Sequence, residues 1–262
     1  MPTLLLPPRF TDDSIKLWRA AIAAGWNTQR LGRWHVDDDL RSLNPSDIAV
    51  YGGFFIALAN QMGISLLEPS VDWLARLPRA VTKRSVRFMT LHEARTCTER
   101  AFYKPADDKT FLAKIYENGS ELPAEDQLPP DLPVLVSDIV SWAVEFRCFV
   151  LDGKVATLSP YLRNQQRLET DDGAFPASDE EFTNASHFAA TLLADHAATL
   201  PSAVVVDVGL IADQGWAVVE ANTAWGAGIY GCDPAVILPI LRRGCVATAD
   251  LTSADRRWLT AR

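Results

Sequence analysis

From Val204 to Asn222 the chain reads Val-Val-Val-Asp-Val-Gly-Leu-Ile, then Ala-Asp-Gln-Gly, then Trp-Ala-Val-Val-Glu-Ala-Asn. Two apolar runs flanking four polar residues have the pattern of a buried hairpin. With the polar tetrad as its loop, Ile211 faces Trp216 and Asp207 lies directly opposite Glu220. Side chains alternate across a strand, so Asn222 projects from the same face as Glu220. Two carboxylates and an amide thus converge on one patch of an otherwise apolar surface. Like charges directly opposite destabilise a sheet. Either that face is solvated and the acids point into water, or something offsets the repulsion. Three hard oxygen donors suit magnesium, and the apolar character of both strands favours the metal.

Other candidates carry open alternatives. In Glu145-Phe146-Arg147, the acid and the arginine share one strand face while Val144, Phe146, Cys148 and Val150 occupy the other. Such an arginine meets phosphate or carboxylate through its planar fork, or forms a surface ion pair across strands. Lys104, between Tyr103 and Pro105 at the end of an apolar strand, either reaches a nucleotide phosphate or is solvated. Gly52-Gly53 follows a strand but lacks the full glycine spacing of a phosphate loop, and reads as a tight turn. Trp225, Gly226, Gly228, Tyr230 and Gly231 follow the acids. They line an acceptor pocket, since glycines let backbone approach a ligand, or form an irregular connection.

The 262 residues suffice for one large domain or two modest ones. With 25 Lys and Arg against 33 Asp and Glu, the formal charge is −8, the opposite of the basic surface that nucleic-acid binders use. No apolar run approaches the roughly 20 residues of a membrane span, and Pro7-Pro8 interrupts the only candidate leader. A cytoplasmic protein is expected. Cys97, Cys148, Cys232 and Cys245 show no CxxC spacing and read as reduced. With four equally scattered histidines they do not suggest a zinc site.

Residues 1–80 alternate strand and helix. Strands are expected at Thr3 to Leu6, Asp47 to Tyr51 and Ile64 to Leu67, with helices from Thr11 to Gly25 and from Val71 to Leu77. That order suggests a small parallel sheet with crossovers. The remainder reads as antiparallel sheet plus helices. Strands are expected at Ala101 to Lys104 and Phe111 to Tyr116, around the turn Ala106-Asp107-Asp108-Lys109. Val144 to Leu151 returns through Asp152-Gly153, a two-residue hairpin signal, to Lys154 to Ser159. A helix is expected over Asp179 to Leu200, and another capped by Asp233, starting at Pro234 and kinked at Pro239.

Taken in order, Lys104 to Lys109, Glu145-Phe146-Arg147-Cys148-Phe149-Val150, Asp207 and Val219-Glu220-Ala221-Asn222 resemble the motifs of the ATP-grasp superfamily. The pattern is most similar to a small clade characterised by one arginine and two lysines, and spans Lys83 to Pro234. The resemblance implies an α/β plus α+β chain: a Rossmann-like domain over 1–80, then a two-subdomain ATP-grasp fold over 81–262. Residues 81–140 would form the small nucleotide-covering subdomain and 141–262 the metal-binding one.

It implies roles as well. Lys104 would contact the α- and β-phosphates, and Lys109 would cover the triphosphate. Arg84, or else Arg87, matches the clade's arginine. Ser137, Asp138 and Val140 lie in the segment whose backbone reads adenine, although the family often has glutamate where Ser137 stands. Glu145 joins this nucleotide site. Asp207, Glu220 and Asn222 match the magnesium ligands, and Arg147 would steady the transferred phosphoryl group. Thr110 to Ala113 lacks the glycines of the family's usual lid. The expected activity is a carboxylate–amine ligase using ATP and Mg2+, forming an amide or peptide bond through an acyl phosphate. Its partners would be small-molecule carboxylates and amines or peptides, with neither nucleic acid nor membrane. The competing expectations are an ATP-binding module without turnover, and a kinase.

Overall fold

A computed structural model describes residues 1–32, 35–106 and 109–259. Asp107 and Asp108 of the expected turn lie outside the described residues.

The amino-terminal third comprises β1 (Thr3–Leu6), α1 (Asp12–Ala23), β2 (Asn27–Arg30), α2 (Asp38–Arg41), β3 (Ile48–Val50), β4 (Ile64–Leu66), α3 (Trp73–Arg76) and α4 (Arg79–Thr82). Thr11 and Ser14 form a reciprocal capping box at the start of α1. Leu17 and Ala21 turn from α1 onto the sheet, and Gly25 closes the helix with φ 74°. A parallel sheet forms in the order β2-β1-β3. Its third strand is not the one expected. Ile64–Leu66 leaves this sheet and pairs antiparallel with β14 (Cys245–Ala247), while the polar Asn27–Arg30 takes the edge beside β1. The helix expected over Val71 to Leu77 shrinks to a single turn.

Next come β5 (Val86–Thr90), α5 (Leu91–Arg95), β6 (Ala101–Pro105), β7 (Lys114–Tyr116) and β8 (Pro133–Ser137), in a four-stranded antiparallel sheet ordered β5-β8-β6-β7. The strand expected from Phe111 is confined to its last three residues. Leu91, Ala94, Tyr103, Val134 and Val136 make the core between this sheet and α5.

The carboxy-terminal half holds β9 (Trp142–Leu151), β10 (Lys154–Arg163), β11 (Gln166–Arg167), α6 (Asp179–His196), β12 (Ala203–Ile211), β13 (Gly215–Thr223) and α7 (Pro234–Gly244), followed by β14. Asp152 and Gly153 adopt φ 48° and 74°, as a tight hairpin of this hand requires. The helix α7 is capped by Asp233, whose carboxylate accepts from the Ala235 N–H at 2.8 Å. It continues through Pro239 without interruption.

A five-stranded sheet forms in the order β11-β10-β9-β12-β13; α6 covers one face and α7 one end of the other, which explains the nearly continuous apolar run of β12. Phe146, Cys148, Val206 and Val208 pack against α6. On the opposite face Phe149 and Val205 meet α7, which itself packs on α1 and β3, so one core joins the amino-terminal sheet to the large one. Beyond Phe149 and Val205 this face is polar and opens toward the four-stranded sheet. No described helix is long and apolar enough to cross a membrane.

Candidate nucleotide and metal site

The polar end of the large sheet carries one row of charge. Arg147 on β9 pairs with Asp207 on β12, which pairs with Glu220 on β13. Near the turn the register differs from expectation: Ile211 faces Gly215, not Trp216, because the loop holds three residues. A β-bulge between Asp207 and Val208, with Val219 as the extra residue, then restores the offset. Asp207 and Glu220 are opposed as expected because the two departures cancel.

The repulsion between them is offset by the chain itself. Arg147 grips Asp207 with Nε to Oδ1 at 3.0 Å and Nη2 to Oδ2 at 2.6 Å. Lys104, reaching across from β6, places Nζ 2.5 Å from Glu220 Oε2. Asn222 Nδ2 donates to Glu220 Oε1 at 2.9 Å and to Asp207 Oδ2 at 3.4 Å. The row therefore reads plus, minus, minus, plus, with an amide stitching the two acids.

Burial sets the electrostatics. It raises the Asp207 carboxyl above its ordinary value, against the opposing pull of the Arg147 guanidinium. Burial likewise opposes ionisation of Glu220, but Lys104 and the Asn222 amide override it and hold the carboxyl at about 2. Glu145 goes the other way. Burial pushes it up to about 7, with the nearby Asp207 and Glu220 adding to the shift, although the Tyr161 hydroxyl donates to it at 2.7 Å. Burial also pushes the Cys232 and Cys245 thiols up to about 12, so neither is a thiolate nucleophile at neutral pH.

A cavity of about 1080 Å3 lies between the two antiparallel sheets. Lys104, Lys109, Arg84 and Glu145 line it, as do Arg147, Glu220 and Asn222. Ser137, Asp138 and Val140 border it at the connection between the sheets. Asp207 is fully buried behind Arg147 and does not reach the lining. Arg84 lines the cavity, whereas Arg87 lies outside it, exposed and paired with Glu99. Among the described residues no three of His, Cys, Asp or Glu gather as a metal cluster; the expected donor set is two carboxylates and an amide. Glu220 and Asn222 line the cavity and carry hard oxygen donors of the kind magnesium takes, the Glu220 oxygens being held by Lys104 and Asn222. Asp207 fits as a direct ligand only where Arg147 yields one of its oxygens.

Several residues of the site escaped sequence reasoning. Tyr161, on β10, stacks on Tyr230 with centroids 4.9 Å apart, and the Arg147 guanidinium lies over both rings. Tyr230 itself has φ 50°, a conformation that bulky residues seldom adopt. Asp13, at the start of α1, accepts from the Tyr51 hydroxyl and the Ile229 N–H, both at 3.0 Å. It thereby ties the glycine-rich loop after β13 to the amino-terminal unit. Trp142 packs against Gly209, where a Cβ would come within 2.6 Å of the ring. The i, i+2 alternation on β10 could have flagged Tyr161; the contacts of Asp13 and Trp142 have no local signal.

Two sheets facing each other across a charged cleft define the ATP-grasp architecture. The chain belongs to the ATP-grasp domains of the clade named for one arginine and two lysines, and within it to family 2, whose model matches residues 81–239. Among solved structures, it is similar to a RimK domain ATP-grasp protein from Sphaerobacter thermophilus DSM 20745, with TM-score 0.55, 15% identity, and 91% of this chain and 98% of that chain covered. A D-cycloserine synthetase gives TM-score 0.52 at 15% identity, covering 92% and 98%. D-alanine–D-alanine ligase from Bacillus anthracis, complexed with ATP, gives 0.50 at 16%, covering 93% and 96%. At these identities the likeness is one of fold. No curated protein matches the chain.

Proposed function

We propose that the protein is an ATP- and magnesium-dependent carboxylate–amine ligase, with residues 1–80 as a Rossmann-like domain preceding the grasp. The observation that carries this reading is the row Arg147–Asp207–Glu220–Lys104, opening into a cavity with room for a nucleotide and a second reactant. Lys104 would leave Glu220 for the α- and β-phosphates, exchanging one anion for another. Lys109, exposed at the cavity rim, would close over the triphosphate, and the backbone from Ser137 to Val140 would read adenine. Magnesium at Glu220 and Asn222 would supply charge neutralisation on the β- and γ-phosphates. Arg147, already fixed by Asp207 and by the Gly228 carbonyl at 3.0 Å, would orient the γ-phosphoryl group without reorganisation.

In the reaction itself a substrate carboxylate oxygen bonds to the γ-phosphorus as the bond to ADP breaks. An amine nitrogen then attacks the acyl carbon, phosphate leaves, and the amine gives up a proton. The D-cycloserine synthetase and D-alanine–D-alanine ligase among the similar structures are consistent with amide-bond chemistry on small substrates.

The test is a screen of carboxylates and amines, following ADP, AMP and free phosphate. ADP and phosphate formed in equal amounts, only with both a carboxylate and an amine present, is the expected result. AMP would overturn the mechanism, ADP without free phosphate would indicate a kinase, and magnesium-dependent binding without turnover would indicate a module. Lys104→Ala should weaken magnesium-ATP binding while leaving the protein folded.

A further inference from the structure

Val218 and Glu220 are two residues apart on β13, yet they point to opposite faces. Val218 is fully buried in the core beside α6, while Glu220 faces the cavity. A regular strand puts residues i and i+2 on the same face. The bulge at Val219 is what lets a buried valine and a cavity carboxylate coexist, and it sets the side on which Asn222 emerges.

That bulge lies on the outermost strand of the sheet, where no neighbour can satisfy its backbone. Arg84 does so instead. Its Nη1 donates to the Val218 carbonyl at 2.7 Å and its Nη2 to the Val219 carbonyl at 2.9 Å. Successive carbonyls of a regular strand point to opposite edges, so one guanidinium reaches both only at a bulge. A third N–H, again on Nη1, meets the Thr82 carbonyl at 3.1 Å.

The arginine is itself held in place. It is 6% exposed, and its guanidinium lies 5.0 Å from the centre of the Trp142 ring, which rests on Gly209. Its own carbonyl accepts from Thr82 Oγ1 at 2.7 Å. The following Ser85 exchanges hydrogen bonds with Asp138, its N–H donating to Oδ2 at 2.8 Å and its carbonyl accepting from the Asp138 N–H at 3.1 Å. Arg84 thus joins the connection between the two sheets to the bulge.

We propose that Arg84 is a positioning residue, which caps the β13 bulge and so holds Glu220 and Asn222 on the cavity face, instead of contacting nucleotide phosphate. The inference rests on the magnesium–nucleotide reading of the cavity for its effect on binding, but not for its effect on the protein alone. A lysine could not substitute, because one ammonium lacks the fork that spans two carbonyls.

The experiment compares the full chain with Arg84→Met and Arg84→Lys. ATP affinity is titrated calorimetrically in magnesium and in EDTA, and the Asn222 side-chain amide is followed by NMR without nucleotide. Both variants should lose roughly 10–100-fold of the affinity gained from magnesium, with affinity in EDTA unchanged within about twofold and lysine no better than methionine. The Asn222 amide signals, set by hydrogen bonds to both acids, should shift in each. Equal losses with and without magnesium, or rescue by lysine, would make Arg84 a phosphate contact and overturn the proposal. Unmoved Asn222 signals would overturn it as well. Should the wild-type chain show no magnesium-dependent affinity, the reading of the cavity fails, and the Asn222 signals alone decide the positioning role. If Arg84→Met does not fold, Arg84→Gln, with one donor group, takes its place.

Discussion

Glu220→Gln keeps the shape of the side chain and removes its charge, and two terms of opposite sign compete. Relief of repulsion across the strands from Asp207 would stabilise the variant by about 0.2–1 kcal/mol. Loss of the Lys104 pair would destabilise it. The carboxyl, ordinarily near 4.5, is held at about 2, which sets a ceiling of about 3 kcal/mol on the stability its ionised form adds. The two side chains are 20% and 30% exposed, so screening lowers that figure. Asp207, clamped by Arg147, contributes little repulsion. The net expectation is a loss of about 1–2 kcal/mol at pH 7. Because the folded-state value is depressed, the contribution is complete above about 4.5 and disappears as pH falls toward about 2. Urea melts of both proteins at pH 7 and at pH 3.5 measure it: the gap should be full at the first and narrower at the second. A variant equally or more stable at pH 7 would show that the acids repel more than the cations compensate, and the charge row would be the wrong description of this site.

Glu145→Gln should behave oppositely. The carboxyl is raised to about 7, so wild-type stability declines as pH rises from about 4.5 through 7, and the variant should be more stable by about 1–3 kcal/mol at pH 8.5 and equal at pH 4.5 in the same melts. Asp13→Ala removes the acceptor of the Tyr51 hydroxyl and the Ile229 N–H; it should cost about 1–3 kcal/mol and accelerate hydrogen exchange at Ile229. Gly119→Ala would set a Cβ 1.9 Å from the Ala94 carbonyl oxygen, and a loss of about 3 kcal/mol or more is expected in thermal melts.

How much of this was legible in the sequence varies by kind of information. Alternation and turn chemistry located most strands, because the hairpin at Asp152-Gly153 and the apolar run of β12 are local signals. The edge strand Asn27–Arg30 carries no apolar pattern, since half its surroundings are solvent. Ile64–Leu66 was visible as a strand, but its partner lies far along the chain, and pairing over that distance has no local signature. The acids were found by spacing, with a shorter loop and a bulge compensating each other. Their cations were not assigned to them: Lys104 and Arg147 were singled out, but nothing in the order of residues says that each lies against one carboxylate. Sequence reasoning assigned the offsetting charge to a metal because only long-range packing could reveal two cations already in place.

The pairing of early strands with late segments, β4 against β14 and α7 against the amino-terminal sheet, has a consequence for synthesis. β3 and β4 leave the ribosome roughly 180 residues before α7 and β14, an interval on the order of ten seconds or more at 5–20 residues per second. Through that interval the apolar faces of β3 and α1 have no α7 to lie against. The nascent chain is therefore a candidate for chaperone capture until α7 and β14 emerge, and a stalled or truncated product would present those same faces to aggregation.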